Sequence, residues 1–380
     1  MTQTEQPVKQ IKTRLQFIDM ARSIAIILML EGHFVDTTLG MEFRRPATTH
    51  RFADSHFIIF DIWEFIRGFT SPMFLTITGV VFVYLLLGNE KESFFKNIRV
   101  KKGFKRILEL LFWGYLLQVY SFHVLQCIAI GIFLILSLYG LSRALKYIPI
   151  SFLYFIAGTT IFILNISIDK LPMTWPTNAP EFIQNIFRNK PNSVFPIIPN
   201  LGYTMYGAFI GTMLFRFKNQ VLSYKFQISL FSTGFVLYFF SNEILNFISK
   251  YLLLNSFTEI YAIDWLYERI GMTCIVLSIL LLINIIFGNR KNNLFLKMGQ
   301  NTLTIFIIHF MILYGSVIVI GINDFFSKTE NPLNPWQAFA GAVMFIGFHV
   351  LLIYYIDSIK LKLNFILEPI SKFWGMIYKL

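Results

Sequence analysis

The sequence predicts an all-α, polytopic membrane protein with about ten transmembrane helices. Of its 380 residues, 55% are hydrophobic and only 14% are charged, whereas soluble domains carry about 25% charged residues. The apolar residues form runs of about 20, the length that crosses a bilayer as a helix. Basic residues lie between these runs, so we expect the net charge of +12 to orient the chain in a lipid bilayer and to bind no nucleic acid.

Ten apolar segments follow one another without an internal repeat or a linker. They are 17–36, 66–88, 104–121, 123–141, 149–168, 196–215, 226–248, 270–288, 301–321 and 336–357. Residues 1–16 are polar and no cleavage signal follows, so we expect the first segment to remain as an anchor. The connection "YSFHV" is short enough for the third and fourth segments to form an antiparallel hairpin. The expected parts are a cytoplasmic tail, 1–16, a ten-helix domain, 17–357, and a cytoplasmic interfacial tail, 358–380.

The distribution of Lys and Arg predicts the orientation of the chain. The two tails and the even-numbered connections carry 22 of these residues, and the odd-numbered connections carry 10. Because basic residues favour the cytoplasm, both termini should lie there. The bias towards Ile, Lys, Asn and Phe, and one poorly placed glycosylation site at Asn165, favour a bacterial inner membrane. Cys127 and Cys274 lie in apolar runs, which excludes a disulfide scaffold. The sequence leaves open whether the protein forms a homodimer.

The first segment, "IDMARSIAIILMLEGHFVD", carries ionisable residues that a lipid-facing helix avoids. At 100° per residue, Arg22 and His33 differ by about 20° around the helix and by about 16 Å along it. Asp19 and Asp36 fall within about 60° of the same direction. Such groups normally face a cavity or a partner, which makes this polar face a candidate site. The alternative is a structural Asp19–Arg22 pair and a His33 that bonds a neighbouring helix.

A second patterned segment, "RGFTSPMFLTITGVVFVY", enters the membrane from the outer side. Arg67 lies at this entrance. Thr76, Thr78 and Gly79 form a small-residue face that suits either close helix packing or a ligand.

The segment before the third helix, "NEKESFFKNIRVKKGFKRILELLFWGY", is unusually basic. Its clustered cations are Lys96, Arg99, Lys101, Lys102, Lys105 and Arg106. Orientation in the membrane accounts for many of them, and binding of a polyphosphate through charge-assisted bonds is the functional alternative.

Four of the six histidines map to the outer side or its edge, namely His33, His50, His56 and His123. Four acidic residues lie near them in sequence, namely Asp36, Asp54, Asp61 and Glu64. Such a group can supply a general base with an orienting partner near neutral pH. His309 and His349 lie within apolar helices. No HxxxH or HExxH spacing is present, so we expect no metal.

Several stretches in order resemble the transmembrane acyltransferase superfamily. They are "FIDMARSIAIILMLEGH", "SPMFLTITGVV", "HVLQCIAIGIF", "FPIIPNLGYTMYGAFIG" and "GQNTLTIFIIH". The resemblance is strongest to the branch with the heparan-α-glucosaminide N-acetyltransferase catalytic domain, which is related to the acyltransferase 3 membrane proteins. It implies transfer of an acyl group, usually acetyl, from cytoplasmic acetyl-CoA to a sugar on the far side.

The resemblance also implies roles for individual residues. A histidine that ends the first helix is a catalytic candidate in the superfamily, and here this is His33. In the lysosomal branch the critical histidine lies in the following loop, where His56, and less favourably His50, match. Lys102, Lys105 and Arg106 best match the Arg-rich donor site. Cys127 departs from the pattern, because relatives commonly carry Arg there.

These observations together predict an acyl-CoA-dependent transferase. The CoA phosphates bind Lys102, Lys105 and Arg106, with Arg99, and the pantetheine arm passes Arg22. His33 acts as general base on a sugar hydroxyl or amine, Asp36 orients it, and Arg67 or a loop histidine polarises the oxyanion. A covalent acetyl-histidine is the alternative route. The competing functions are a transporter or flippase without acyl-transfer chemistry and a purely structural membrane protein.

Overall fold

A computed structural model describes residues 15–43, 58–118, 121–145, 147–171, 176, 179–187, 193, 195–251, 260–288, 294–315 and 320–377. This part of the chain folds into twelve α-helices. In order they are α1 (Gln16–Thr38), α2 (Ile58–Leu87), α3 (Ile98–Leu117), α4 (Val124–Ala144), α5 (Ile150–Asp169), α6 (Glu181–Phe187), α7 (Ile197–Arg216), α8 (Tyr224–Tyr251), α9 (Asp264–Phe287), α10 (Leu294–Gln300), α11 (Thr302–Tyr314) and α12 (Pro335–Ile377). The expected all-α membrane fold is confirmed.

Each of the ten predicted segments coincides with a helix or with a pair of helices. Among the described residues, six helices are long and apolar enough to cross a bilayer, namely α2, α4, α5, α8, α9 and α12. A seventh candidate is the pair α10–α11, which bends by 81° at its junction. The helices α1, α3 and α7 fill the remaining predicted positions, so the total of ten spans stays a prediction. The expected boundary at residue 357 does not interrupt α12, which is helical from Pro335 to Ile377.

Glycines allow the closest helix contacts in the bundle. A Cβ added at Gly79 of α2 would overlap the carbonyl oxygen of Thr204, and one added at Gly207 of α7 would overlap that of Thr76. The backbones of α2 and α7 are therefore in direct contact, as small residues permit in membrane bundles. Gly234 of α8 and Gly271 of α9 meet in the same way.

The helix α1 lies in the interior of the bundle and packs against α2, α9, α10, α11 and α12. Its Ser23 hydroxyl lies within hydrogen-bond distance of the Phe295 carbonyl oxygen and accepts a bond from the Gly299 amide at 3.0 Å. These contacts fasten α10 across the start of α1. The Asn301 side chain then bonds the Lys297 carbonyl at 2.9 Å, where α10 ends and α11 turns away.

Candidate active site

Two neighbouring cavities lie inside the bundle, between α1, α2, α3, α4 and α11. The inner cavity has a volume of about 170 Å³ and lies towards the start of α1. The outer cavity has a volume of about 270 Å³ and lies towards the end of α1. Phe74 and Phe306 line both cavities. The two spaces therefore adjoin at these two residues.

The polar face of α1 points into these cavities. Arg22 lines the inner cavity, whereas Ala25, Met29 and His33 line the outer one. Their spacings of three, four and four residues keep all of them on one side of the helix. Arg22 also lies 3.7 Å from the buried carboxylate of Asp19. Arg22 and His33 thus face cavities within the protein, as their shared direction predicted.

His33 has a defined hydrogen-bond partner on α11. Its Nδ1 lies 2.9 Å from the hydroxyl of Tyr314, and the Thr37 hydroxyl also bonds Tyr314. Thr37 donates its own proton to the His33 carbonyl oxygen at 2.8 Å. A neutral histidine carries its proton on either Nδ1 or Nε2, and the Tyr314 hydroxyl accepts from Nδ1–H in the first tautomer and donates to Nδ1 in the second. The first tautomer leaves the lone pair of Nε2 available, which is the state a general base requires.

Asp36, the expected orienting partner of His33, pairs with Arg67 in the structure. Its carboxylate accepts a hydrogen bond from the Arg67 guanidinium at 3.0 Å, and Tyr314 is the partner of His33 Nδ1. Arg67 also stacks over the ring of Trp63, 5.3 Å from its centroid. Asp36 and Arg67 thus join α1 to α2 one turn beyond His33. Their roles in a reaction stay predictions.

Of the basic segment on α3, Arg106 lines the inner cavity, and its guanidinium donates to Glu109 at 2.9 Å. Arg99 lies about 20° around the helix from Arg106 and about 10 Å nearer its start. Lys102 lies about 40° from Arg106 and about 6 Å nearer the start. The three residues form a basic row that leads to the cavity. Lys105 lies about 100° away from this row and is exposed.

The other histidines differ from His33 in their bonding. His123 caps α4: its Nε2 lies 2.9 Å from the Gly114 carbonyl, and its Nδ1 accepts from the Leu125 amide. Both of its nitrogens are therefore used in the fold, although its ring lines the outer cavity. His309 and His349 are fully buried and line neither cavity. His50, His56 and Asp54 lie outside the described residues, as do the side chains of Asp61 and Glu64.

The contribution of α11 was missed in the sequence. Leu303, Phe306, Phe310 and Tyr314 follow at spacings of three, four and four, and each lines the inner or the outer cavity. This is the same pattern as on α1, and it was available as a signal. On α2, Thr78 lines the inner cavity whereas Gly79 packs on α7, so the small-residue face serves both packing and the cavity.

The family model described as "Heparan-alpha-glucosaminide N-acetyltransferase, catalytic" matches residues 14–253, which is more than half of the chain. The match includes α1 to α8, and with them the polar face of α1 and the basic row. No curated protein matches the sequence.

Proposed function

The chain belongs to the family of the heparan-α-glucosaminide N-acetyltransferase catalytic domain, a family of membrane acetyltransferases, and we propose which reaction it performs. It transfers an acyl group, acetyl by preference, from cytoplasmic acyl-CoA to a sugar hydroxyl or amine on the far side of a bacterial inner membrane. One observation carries this proposal: two cavities adjoin at Phe74 and Phe306, and Arg22 and Arg106 line one of them whereas His33 lines the other.

The inner cavity suits the pantetheine arm and not the whole cofactor. Its volume of about 170 Å³ is below the range of about 300–1,000 Å³ typical of pockets that enclose a drug-sized ligand. The arm is slender and the cavity wall is largely apolar. The diphosphate then lies at the mouth, beside Arg22 and Arg106, and the nucleotide lies further out along Arg99 and Lys102. Arginine suits this position because its guanidinium forms bidentate bonds with phosphate.

The outer cavity suits the reacting end of a sugar. Thr70, Ser71, Gln118 and Ser121 line it together with His33. Hydroxyl and amide groups of this kind form hydrogen bonds with the hydroxyl groups of a saccharide. At about 270 Å³, the cavity admits a short acyl group and one sugar unit, and the rest of a longer glycan extends outwards.

In the proposed step, His33 Nε2 removes the proton of the acceptor hydroxyl or amine. The acceptor oxygen or nitrogen forms a bond with the thioester carbon, and the carbon–sulfur bond breaks. The CoA thiolate leaves and takes the proton from the imidazolium. Tyr314 holds the ring through Nδ1 in the required tautomer, and such general-base catalysis contributes about 10²–10⁴-fold. Arg67 is our candidate for stabilising the oxyanion, and its ion pair with Asp36 holds it about one turn beyond His33.

The test uses purified protein in sealed proteoliposomes, with acetyl-CoA inside and an amino sugar such as glucosamine outside. Because CoA does not cross a bilayer, acetylated sugar outside requires transfer through the protein. We expect His33→Gln to lower the rate by at least about 100-fold, and His349→Gln, a buried histidine outside both cavities, to retain it. Equal rates in these two variants would contradict the proposal. Uptake of unmodified sugar into the liposomes without acetylation would favour a transporter instead.

A further inference from the structure

The two cavities share two aromatic side chains. Phe74 of α2 and Phe306 of α11 line both the inner and the outer cavity. Phe306 is only 5% exposed. Polar and apolar side chains line both spaces, and Thr78 and Thr302 add hydroxyl groups to the inner one. The two rings therefore belong to the wall that the outer cavity shares with the route from the basic row.

Neighbouring groups hold the ring of Phe306. The imidazole of His123 stacks on it at 6.2 Å with an interplanar angle of 22°. The imidazole of His309 meets it edge-on at 4.9 Å and 74°. His123 is itself fixed by both of its nitrogens. Phe306 thus has a preferred position in the wall, supported by contacts from α4 and from its own helix.

A reaction that joins substrates from opposite sides of a membrane needs such a wall. An open water-filled passage from Arg22 to His33 would conduct protons and would bring water to the thioester. An apolar constriction prevents this, because water leaves a narrow hydrophobic segment. The same constriction admits a flexible, unbranched chain when the rings move apart.

We propose that Phe74 and Phe306 form an aromatic gate that seals the passage and selects acyl groups without a branch next to the thioester. This inference rests on the proposed function, since it assigns acyl-CoA as the molecule that passes. The β-alanine and cysteamine units, which follow the acyl group through the gate, carry no alkyl branch, whereas the gem-dimethyl carbon of the arm lies beside the diphosphate. A straight acyl group is about as wide as these two units. A group branched next to the thioester is wider than they are and has to force the rings further apart. Linear acetyl and butyryl groups therefore pass, and isobutyryl is rejected at the gate.

The selectivity test compares butyryl-CoA with isobutyryl-CoA, which contain the same number of carbon atoms. We expect the wild-type protein to prefer butyryl-CoA in kcat/KM by about tenfold or more, the discrimination that one misplaced methyl group gives. Phe306→Ala and Phe74→Ala should reduce this ratio to about threefold or less. Phe345→Ala, at a buried phenylalanine of α12 outside both cavities, should leave the ratio unchanged.

The seal is tested without any transfer reaction, by the decay of a pH gradient across proteoliposomes. Phe306→Ala and Phe74→Ala should accelerate the decay at least about threefold, and Phe345→Ala should not. Phe306→Leu keeps an apolar side chain and controls for misfolding of the alanine variant. We expect it to change acyl selectivity and proton leakage less than Phe306→Ala does. Unchanged acyl selectivity together with unchanged proton leakage in both alanine variants would overturn the gate. If the alanine variants leak protons but the wild-type protein transfers no acyl group, the inference of a seal is supported and the proposed function is rejected.

Discussion

Replacing Tyr314 with Phe removes one hydroxyl group from the candidate site and little else. The Phe ring retains the packing of Tyr314 against Phe310, whose centroid lies 4.8 Å away. The hydrogen bond to His33 Nδ1 at 2.9 Å is lost. His33 can then adopt the other tautomer or rotate within the cavity, so fewer molecules present the Nε2 lone pair to the acceptor. We expect kcat to fall, and KM for acetyl-CoA to stay unchanged, because the donor contacts lie in the other cavity.

The magnitude follows from the bond that is lost. A neutral hydrogen bond within a protein contributes about 0.5–1.5 kcal/mol net, and about 1.4 kcal/mol corresponds to a tenfold change in rate. The expected decrease in kcat is therefore about 2- to 12-fold. This is smaller than the loss expected for His33→Gln, which removes the base itself.

The assay is the initial rate of acyl transfer for the wild-type protein, both single variants and the double variant. If Tyr314 acts through His33, Tyr314→Phe should have no further effect in the His33→Gln background, because the two residues are coupled. Tyr154→Phe is the matched control, since its hydroxyl bonds the Ile135 carbonyl away from both cavities. The same fold-decrease in both backgrounds would refute the positioning role of Tyr314.

The other predictions concern helix packing and donor binding. Gly207→Ala should lower the free energy of unfolding by about 1–3 kcal/mol, because its Cβ would overlap the Thr76 carbonyl. Gly347→Ala, at a glycine with open space around it, should be neutral or stabilising. Thermal unfolding in detergent measures both variants. Arg106→Gln should weaken CoA binding about 10- to 100-fold in calorimetry, the contribution of one charge-assisted bond, whereas Lys105→Gln should change it less than threefold. Because the CoA contacts at the mouth are partly exposed, raising the salt concentration from 0.1 to 1 M should also weaken CoA binding by screening.

Much of the fold and part of the site could be predicted from sequence. Apolar run length located a helix or a pair of helices at every predicted segment, because it reflects the thickness of the bilayer. The shared direction of Arg22 and His33 was also predictable, since it depends only on the geometry of one helix.

The remaining features depend on contacts between distant segments. Tyr314 lies 281 residues from His33, and neither the spacing within α1 nor that within α11 reveals that they meet. Asp36 was the expected partner because it is close in sequence, yet its position one turn further along α1 brings it to Arg67 instead. The bend between α10 and α11 was missed for the same reason, because Ser23 of α1 fastens α10 in place.

The proposal that CoA reaches His33 through the two cavities is tested most directly by a cryo-electron microscopy structure of the protein in a lipid nanodisc with bound CoA. We expect the diphosphate beside Arg22 and Arg106, the pantetheine arm between Phe74 and Phe306, and the thiol in the outer cavity beside His33. A CoA molecule whose arm runs outside the bundle, or whose thiol lies away from His33 with the two rings still closed, would contradict it.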